Sequence, residues 1–227
     1  MIAGCGDGMA GSGFSSKDAA ELVSRLDALS VPDLAGCLRA LGPAGSPSRE
    51  LPASPGDEPR PAAVLIPVFR AGERWRLLYI RRSVYDGDRH SGEVAFPGGR
   101  CESGDEDRVA TALREAREEI GLDPRRVELL GELRPFETVS NFLVTPVVGV
   151  LSQPLALRPD PLEVARVFSI PLAWLDDAAN RHERAWPGPD HPQVRQVVFY
   201  DEFEGERLWG VSARITLDFI ACLKAGG

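Results

Sequence analysis

Apolar residues recur along this chain with two different periods. From residue 62 onward they gather in short runs that read as β-strands: "AAVLIPVF", "RLLYIRR", and "GEVAFPGG", the last ending in a turn. Further strands are expected at "VELLGELRPF", "VTPVVGVL", "ARVFSI" and "QVVFYDEF". The spacing changes to three and four in residues 105–120 and in "GVSARITLDFIACLKAG", which read as helices. Upstream, "SKDAAELVSRLDAL" has a helical stripe of Ala20, Leu22, Val23, Leu26 and Leu29, with Ser16 as its cap. A short second helix follows at "VPDLAGCLRAL", with Pro32 in its first turn. Residues 42–61 are too rich in Pro, Gly and Ser for a regular element and read as a linker. Many strands around few helices indicate an α+β, layered α/β/α domain. The expected organisation is a disordered stretch at 1–15, a helical segment at 16–41, a linker at 42–60 and the main domain at 61–225. Every chemistry-bearing motif falls after the linker, so residues 1–60 are expected to be dispensable for chemistry.

The helix at 105–120 carries an unusual distribution of charge. On a wheel of about 100° per residue, Val109, Ala112, Leu113, Ala116 and Ile120 share a face that must pack on a sheet. Glu115, Glu118 and Glu119 fall at i, i+3 and i+4 on another face, where like charges repel. Arg114 lies one turn before Glu118 and can bridge it, while Arg117 points elsewhere. Gly121 suits the left-handed residue that ends a helix, and Leu122 can fold back onto the core. A solvated acidic face is one reading of the three glutamates. Convergence on a hard cation such as Mg²⁺, which prefers oxygen ligands, is the other.

Composition narrows the function classes. The 227-residue chain carries a net charge of −8 and a pI near 5.0, which argues against nonspecific nucleic-acid binding. No apolar run approaches the length of a membrane span. Cys5, Cys37, Cys101 and Cys222 lie far apart without a C-x-x-C pair, as expected of reduced thiols in a cytoplasmic protein. The N-terminus lacks the basic and apolar regions of a signal peptide, and Met9 is a second candidate start.

The segment before the acidic helix decides between its two readings. In "FPGGRCESGDED", Gly98 and Gly99 let the backbone pass close to a ligand or offer a carbonyl to a metal. With "REAREEIGL" after it, this stretch resembles the Nudix box, G-x5-E-x7-R-E-U-x-E-E-x-G-U, where U is apolar. Gly99 matches the first glycine, and residues 114–122 match the second half position by position. From Gly99 to Arg114 there is one residue more than in the standard box, so the acidic position that usually holds the box arginine falls on Asp105 counting forward or Glu106 counting back. Coenzyme A pyrophosphatases have a similar lengthened loop, and "LLYIRRSVYDGDRHSGEVAFPGG" resembles their upstream pattern at Leu77, Leu78, Arg82, Ser83, His90, Gly92 and Phe96. Tyr79 departs from it, and "VYDGDR" is about one residue longer. The segments "FLVTPVVGVL" and "LWGVSARI" also resemble this subgroup.

The resemblance implies a mixed β-sheet sandwiched between helices and a Mg²⁺-dependent hydrolase, with Mn²⁺ as a substitute. It implies Glu115, Glu118, Glu119 and the Gly99 carbonyl as metal ligands and Arg114 as the residue that orients the glutamates. Glu163 is the candidate for a loop carboxylate completing the catalytic site. Arg82, Arg89, His90 and Gly98 are candidates for substrate binding, with Arg82 or Arg89 expected to meet the 3′-phosphate of coenzyme A. Trp209 and Phe199 read as core residues rather than nucleotide contacts. The implied partner is a small nucleotide substrate: coenzyme A, or alternatively ADP-ribose, NADH or a dinucleoside polyphosphate. A ligand sensor without catalysis is a third reading, disfavoured because every box glutamate is kept. The N-terminal helices are expected either to form a homodimer interface or to cap the site.

Overall fold

The computed structural model describes residues 25–40, 48–49, 58–85, 91–187 and 194–226. The expectations for residues 1–15, Met9, Arg89, His90, most of the linker and the start of the first helix lie outside them. Two long strands form the centre: β2 (Arg60–Ala71) runs parallel to β8 (Phe142–Leu151). The strand β3 (Arg74–Arg82) returns antiparallel to β2, and β9 (Val164–Pro171) continues the sheet beyond it. Short strands complete this sheet: β1 (Ser48–Arg49), β4 (Val94–Ala95), β5 (Gly98–Arg100), β6 (Val127–Glu132) and β7 (Phe136–Glu137). A second sheet of three strands, β10 (Arg181–Pro187), β11 (Val194–Phe203) and β12 (Glu206–Trp209), stands beside it.

Strand β2 shows why its sequence reads as one continuous apolar run. Ala62, Val64, Ile66 and Val68 face one core, while Ala63, Leu65 and Phe69 face the other. Both faces are covered, so no polar alternation survives. On the first face lie α1 (Val31–Ala40) and the long α4 (Gly210–Ala225); on the second lies α2 (Arg108–Ile120), through Ala112, Ala116 and Ile120. The short α3 (Leu172–Asp176) links β9 to the second sheet. The layered α/β/α arrangement is the one the strand and helix pattern indicates.

Some local expectations need correction. The third run, "GEVAFPGG", is split into β4 and β5. Strands β10 and β12 have no distinct apolar run to announce them. On α2, Thr111 is buried while Leu113 is only half-buried, so the packed stripe is rotated from the one drawn on the wheel.

The N-terminal segment meets the fold differently from what its composition suggests. Residues 25–28 form a turn rather than the end of a helix. Leu26, Leu34, Cys37 and Leu38 are buried in the main core against α4 and β6. The Asp27 carboxylate accepts the Trp75 backbone N–H at 2.8 Å, and the Leu29 carbonyl accepts from both Trp75 Nε1 (2.9 Å) and Arg70 (2.8 Å). Ser30 and Asp33 cap α1 through reciprocal side-chain-to-backbone hydrogen bonds. A segment so bonded packs as part of the domain's core.

Candidate active site

The acidic helix is built by its two ends. Asp107 caps the N-terminus, its side chain accepting from Ala110 N at 2.8 Å. Gly121, at φ 65°, closes the C-terminus in the left-handed conformation, and its N–H returns to the Ala116 and Arg117 carbonyls. Leu122 behind it is buried, as its place after the glycine predicts.

Between these caps, Arg114 organises the polar face. Its Nε and Nη2 donate to Asp105 at 2.9 and 3.1 Å, and Nη2 also reaches the Arg100 carbonyl at 2.9 Å. Its Nη1 donates to Glu115 at 3.0 Å and to Glu118 at 2.9 Å. The acidic partner of this arginine in the lengthened loop is therefore Asp105. Glu106 is exposed and, among the described residues, has no hydrogen bond or ion pair. The Arg114 guanidinium holds the Asp105 carboxyl well below the usual carboxylate range, and the Asp105 bond in turn raises the arginine. Arg117 is exposed, as expected.

The three glutamates are not equivalent. Glu118 is exposed, Glu115 is half-buried and Glu119 is only 2% exposed. Glu119 turns inward and accepts the Gly98 N–H at 2.9 Å, which ties the glycine turn to the helix. Burial pushes its pKa up to about 8, against the opposing effects of the Gly98 N–H and of Arg82, which lies 3.8 Å away. Burial also raises Glu115. Repulsion from Glu163 contributes to the upward shift of both, so this loop carboxylate faces the same patch. The Ser83 N–H donates to the Glu163 carbonyl at 2.9 Å, fixing that loop against the end of β3.

Gly99 shows why a glycine stands there. A Cβ on it would lie 2.5 Å from Glu115 Oε1 and 2.6 Å from its carboxyl carbon. The strand therefore passes the carboxylate at a distance no side chain permits. Among the described residues no group of three or more His, Cys, Asp or Glu side chains is already arranged around a metal position. The reason is visible: Arg114 satisfies Glu115 and Glu118, and Glu119 is bonded to Gly98. The donor set nevertheless fits a hard cation. It is all oxygen, it crowds carboxylates beside a buried one, and it leaves Arg114 anchored by Asp105 and the Arg100 carbonyl whether or not Glu115 and Glu118 stay bonded to it.

A cleft of about 540 Å³ runs from this patch. Arg82, Glu93, Gly98 and Gly99 line its polar side; Phe96, Val144, Trp209, Val211 and Ile215 give it an apolar wall. Arg100, Thr138, Ser140 and Phe142 lie along its remaining edge. Trp209, read from sequence as core, is half-buried and faces the cleft, stacked on the buried Phe199 at 5.5 Å between centroids and 6° between planes. Tyr79, at the departure from the upstream pattern, is fully buried, bonded to Thr216 at 2.9 Å and stacked on Phe96. Arg81 serves the fold: with Arg166 it flanks the buried Glu206 at 3.2 and 3.0 Å, holding β12 against β3 and β9. Phe142 and Ser212 lie in segments that resemble the coenzyme A subgroup and Arg100 follows the glycine turn, but the sequence assigns no role to them or to Ser140.

Comparison with known proteins agrees with this geometry. A NUDIX domain model matches residues 59–190. The uncharacterized Nudix hydrolase NudL of Pectobacterium atrosepticum is 39% identical over 169 residues, covering 73% of this chain and 85% of the relative. The NudL of Photorhabdus laumondii is 37% identical over 171 residues, covering 73% and 88%. Among solved structures, a MutT/nudix family protein from Enterococcus faecalis aligns over 78% of this chain and 65% of its own, with a TM-score of 0.47 and 18% identity. The chain belongs to the Nudix family and is a hydrolase of diphosphate bonds.

Proposed function

We propose that this hydrolase cleaves coenzyme A to 4′-phosphopantetheine and adenosine 3′,5′-bisphosphate. The observation that carries the reading is the cleft itself: it starts at the glycine turn and continues along an apolar wall, giving a diphosphate at Gly98 and Gly99 room for a bulky organic arm. The lengthened loop through Asp105 and the upstream segment from Leu77 to Gly99 resemble the coenzyme A subgroup and point the same way.

Nudix hydrolases use a divalent metal, and here Glu115, Glu118, Glu119 and the Gly99 carbonyl would hold it, as Mg²⁺ with Mn²⁺ as substitute. When bound, such an ion neutralises the diphosphate and supports in-line attack by water. The protein's own groups supply the rest. Arg114 orients Glu115 and Glu118 from its anchor on Asp105. The Glu119–Gly98 bond fixes the turn over which the diphosphate lies. A carboxylate of the cluster or Glu163 takes the proton from water; clustered carboxylates titrate together, and the role belongs to the group. Arg82 presents a cation at the same end of the cleft.

The test is a panel of coenzyme A, 3′-dephospho-coenzyme A, ADP-ribose, NADH and a dinucleoside polyphosphate, assayed with Mg²⁺ and analysed for products. Coenzyme A should have the highest kcat/KM. A preference for ADP-ribose or NADH over coenzyme A overturns the substrate assignment and leaves the hydrolase class. No hydrolysis of any member would instead favour a ligand sensor.

A further inference from the structure

Beyond the glycine turn, the cleft edge carries a second cationic feature. Phe142 has the Arg60 guanidinium carbon 4.1 Å from its ring centroid and the Arg100 guanidinium carbon 5.2 Å from it. Arg60 opens β2 directly opposite Phe142 in the parallel register, and Arg100 closes β5 opposite Ala62. The chain as a whole carries a net charge of −8, so a pair of guanidiniums without a carboxylate is a local reversal of its charge. Among the described residues neither of these two forms an ion pair, and no acceptor takes the side-chain N–H groups of Arg100. Arg60 is held in place by the Ser140 carbonyl at 3.0 Å.

The loop that carries this feature is firmly tied. Thr138 N donates to the Phe142 carbonyl at 2.8 Å, Phe142 N donates to Thr138 Oγ1 at 3.1 Å, and Asn141 turns the chain at φ 61°. The Thr138 and Ser140 hydroxyls sit 3.0 Å apart, and both residues line the cleft with Arg100 and Phe142. An aromatic face steadies a guanidinium without consuming its N–H edge, which stays free for an anion. Arg100 and two hydroxyls at the edge of the cleft, with Arg60 beside them on the same ring, match one ligand chemistry, a phosphate monoester.

We propose that Arg60 and Arg100, mounted on Phe142, form a subsite for a phosphate monoester on the nucleoside arm of the substrate, separate from the diphosphate that is cleaved. The proposal rests on the coenzyme A reading, in which the 3′-phosphate is that group. Of the two cations expected from sequence, Arg89 lies outside the described residues and Arg82 faces Glu119 beside the glycine turn, the place the proposed reading gives to the scissile diphosphate.

The experiment compares the full chain with an Arg60→Ala/Arg100→Ala double variant and an Arg60→Lys/Arg100→Lys variant. Each is assayed for kcat/KM on coenzyme A and on 3′-dephospho-coenzyme A. Each is also titrated calorimetrically with adenosine 3′,5′-bisphosphate and with AMP, which needs no turnover. A charge-assisted phosphate contact is worth about tenfold or more in affinity. The wild type should prefer the 3′-phosphorylated partner of each pair by at least that factor. The alanine pair should bring both ratios near unity, and the lysine pair should keep part of them. If the wild type cleaves coenzyme A and the alanine pair retains the full preference, the subsite is wrong while the substrate assignment stands. If the wild type cleaves neither compound, the coenzyme A reading fails and calorimetry alone judges the subsite. A bisphosphate preference lost in the alanine pair supports it, and equal binding of the two ligands by the wild type overturns it. Should the alanine pair fail to fold, Arg100→Gln alone carries the same comparison.

Discussion

The two sides of the cleft are built in opposite ways. The acidic side is local: Gly98, Gly99, Asp105, Arg114, Glu115, Glu118 and Glu119 all lie within one turn and one helix. The other side gathers Phe142 from β8, Trp209 from β12 and Val211 and Ile215 from α4, brought together by sheet order and helix packing. The first holds its shape through charge-assisted hydrogen bonds centred on Arg114 and Glu119. The second holds it through apolar burial that reaches back to the N-terminal segment. Damage to one side should therefore appear in catalysis, and damage to the other in stability or substrate affinity.

The largest effect is expected where the second side is undercut. A chain starting near Glu58 loses Leu26, Leu34 and Leu38, which are 4%, 0% and 6% exposed beside α4. At about 1.5–3 kcal/mol for each buried aliphatic side chain, the loss is roughly 5–9 kcal/mol, comparable to the whole stability of an ordinary domain. The truncated chain should be insoluble or unfolded at 25 °C by circular dichroism. A cooperative melt within a few degrees of the full chain would show that the segment adds little, and the composition break at residue 42 would then be a true boundary.

On the acidic side, Glu119→Gln and Glu118→Gln should each lower kcat at least roughly a hundredfold, the scale of losing several kcal/mol of transition-state charge stabilisation. For Glu119→Gln the melting temperature should hold or rise, since the glutamine keeps an acceptor for the Gly98 N–H and never has to carry a charge at this buried position. Removing divalent metal with EDTA should abolish turnover in the same assay. Undiminished activity in either variant, or in EDTA, is incompatible with a metal-dependent acid cluster.

Trp209→Ala tests the apolar wall more gently. It removes the ring stacked on Phe199 and should lower kcat/KM about tenfold, chiefly through KM, because in the proposed reading the wall meets the organic arm and not the reacting phosphate. A loss confined to kcat would place the tryptophan in the chemistry instead.

This contrast also explains what the sequence could reveal. Helical periodicity converts spacing directly into geometry, so spacing alone puts Glu115, Glu118 and Arg114 within reach of one another, and Gly121 marks the end of that helix. The inward turn of Glu119 could not be read that way, because it depends on Gly98 arriving from β5. The long strands were legible from apolar runs covered on both faces. Strands β10 and β12 were not, lacking a distinct run of their own. No local pattern assigns a shared role to Arg60, Arg100 and Phe142; they meet because β2 pairs in parallel with β8 and antiparallel with β5. The role of residues 26–38 was hidden by a Pro- and Gly-rich stretch that looks like a boundary whether or not the elements before it pack on the core.

The smallest expected effect settles the register of the lengthened loop. Counting along the box leaves Asp105 and Glu106 equally eligible to hold Arg114, and the structure gives both oxygens of Asp105 to it. Asp105 also accepts the Glu102 N–H at 2.9 Å and the Thr111 hydroxyl at 2.8 Å, so it ties the loop to the first turn of the helix as well as to the arginine. Asp105→Asn replaces an acceptor-only carboxylate with an amide that opposes the guanidinium. The melting temperature should drop by about 3–10 °C, and activity should fall because Arg114 loses its anchor. Glu106→Gln changes an exposed side chain with no partner among the described residues, and should move the melting temperature by no more than about 1–2 °C, with activity intact. Comparing the two by calorimetry and turnover separates the alternatives. If Glu106→Gln carries the larger loss on both measures, the extra residue precedes the acidic position and the box register counted back from Arg114 is the correct one.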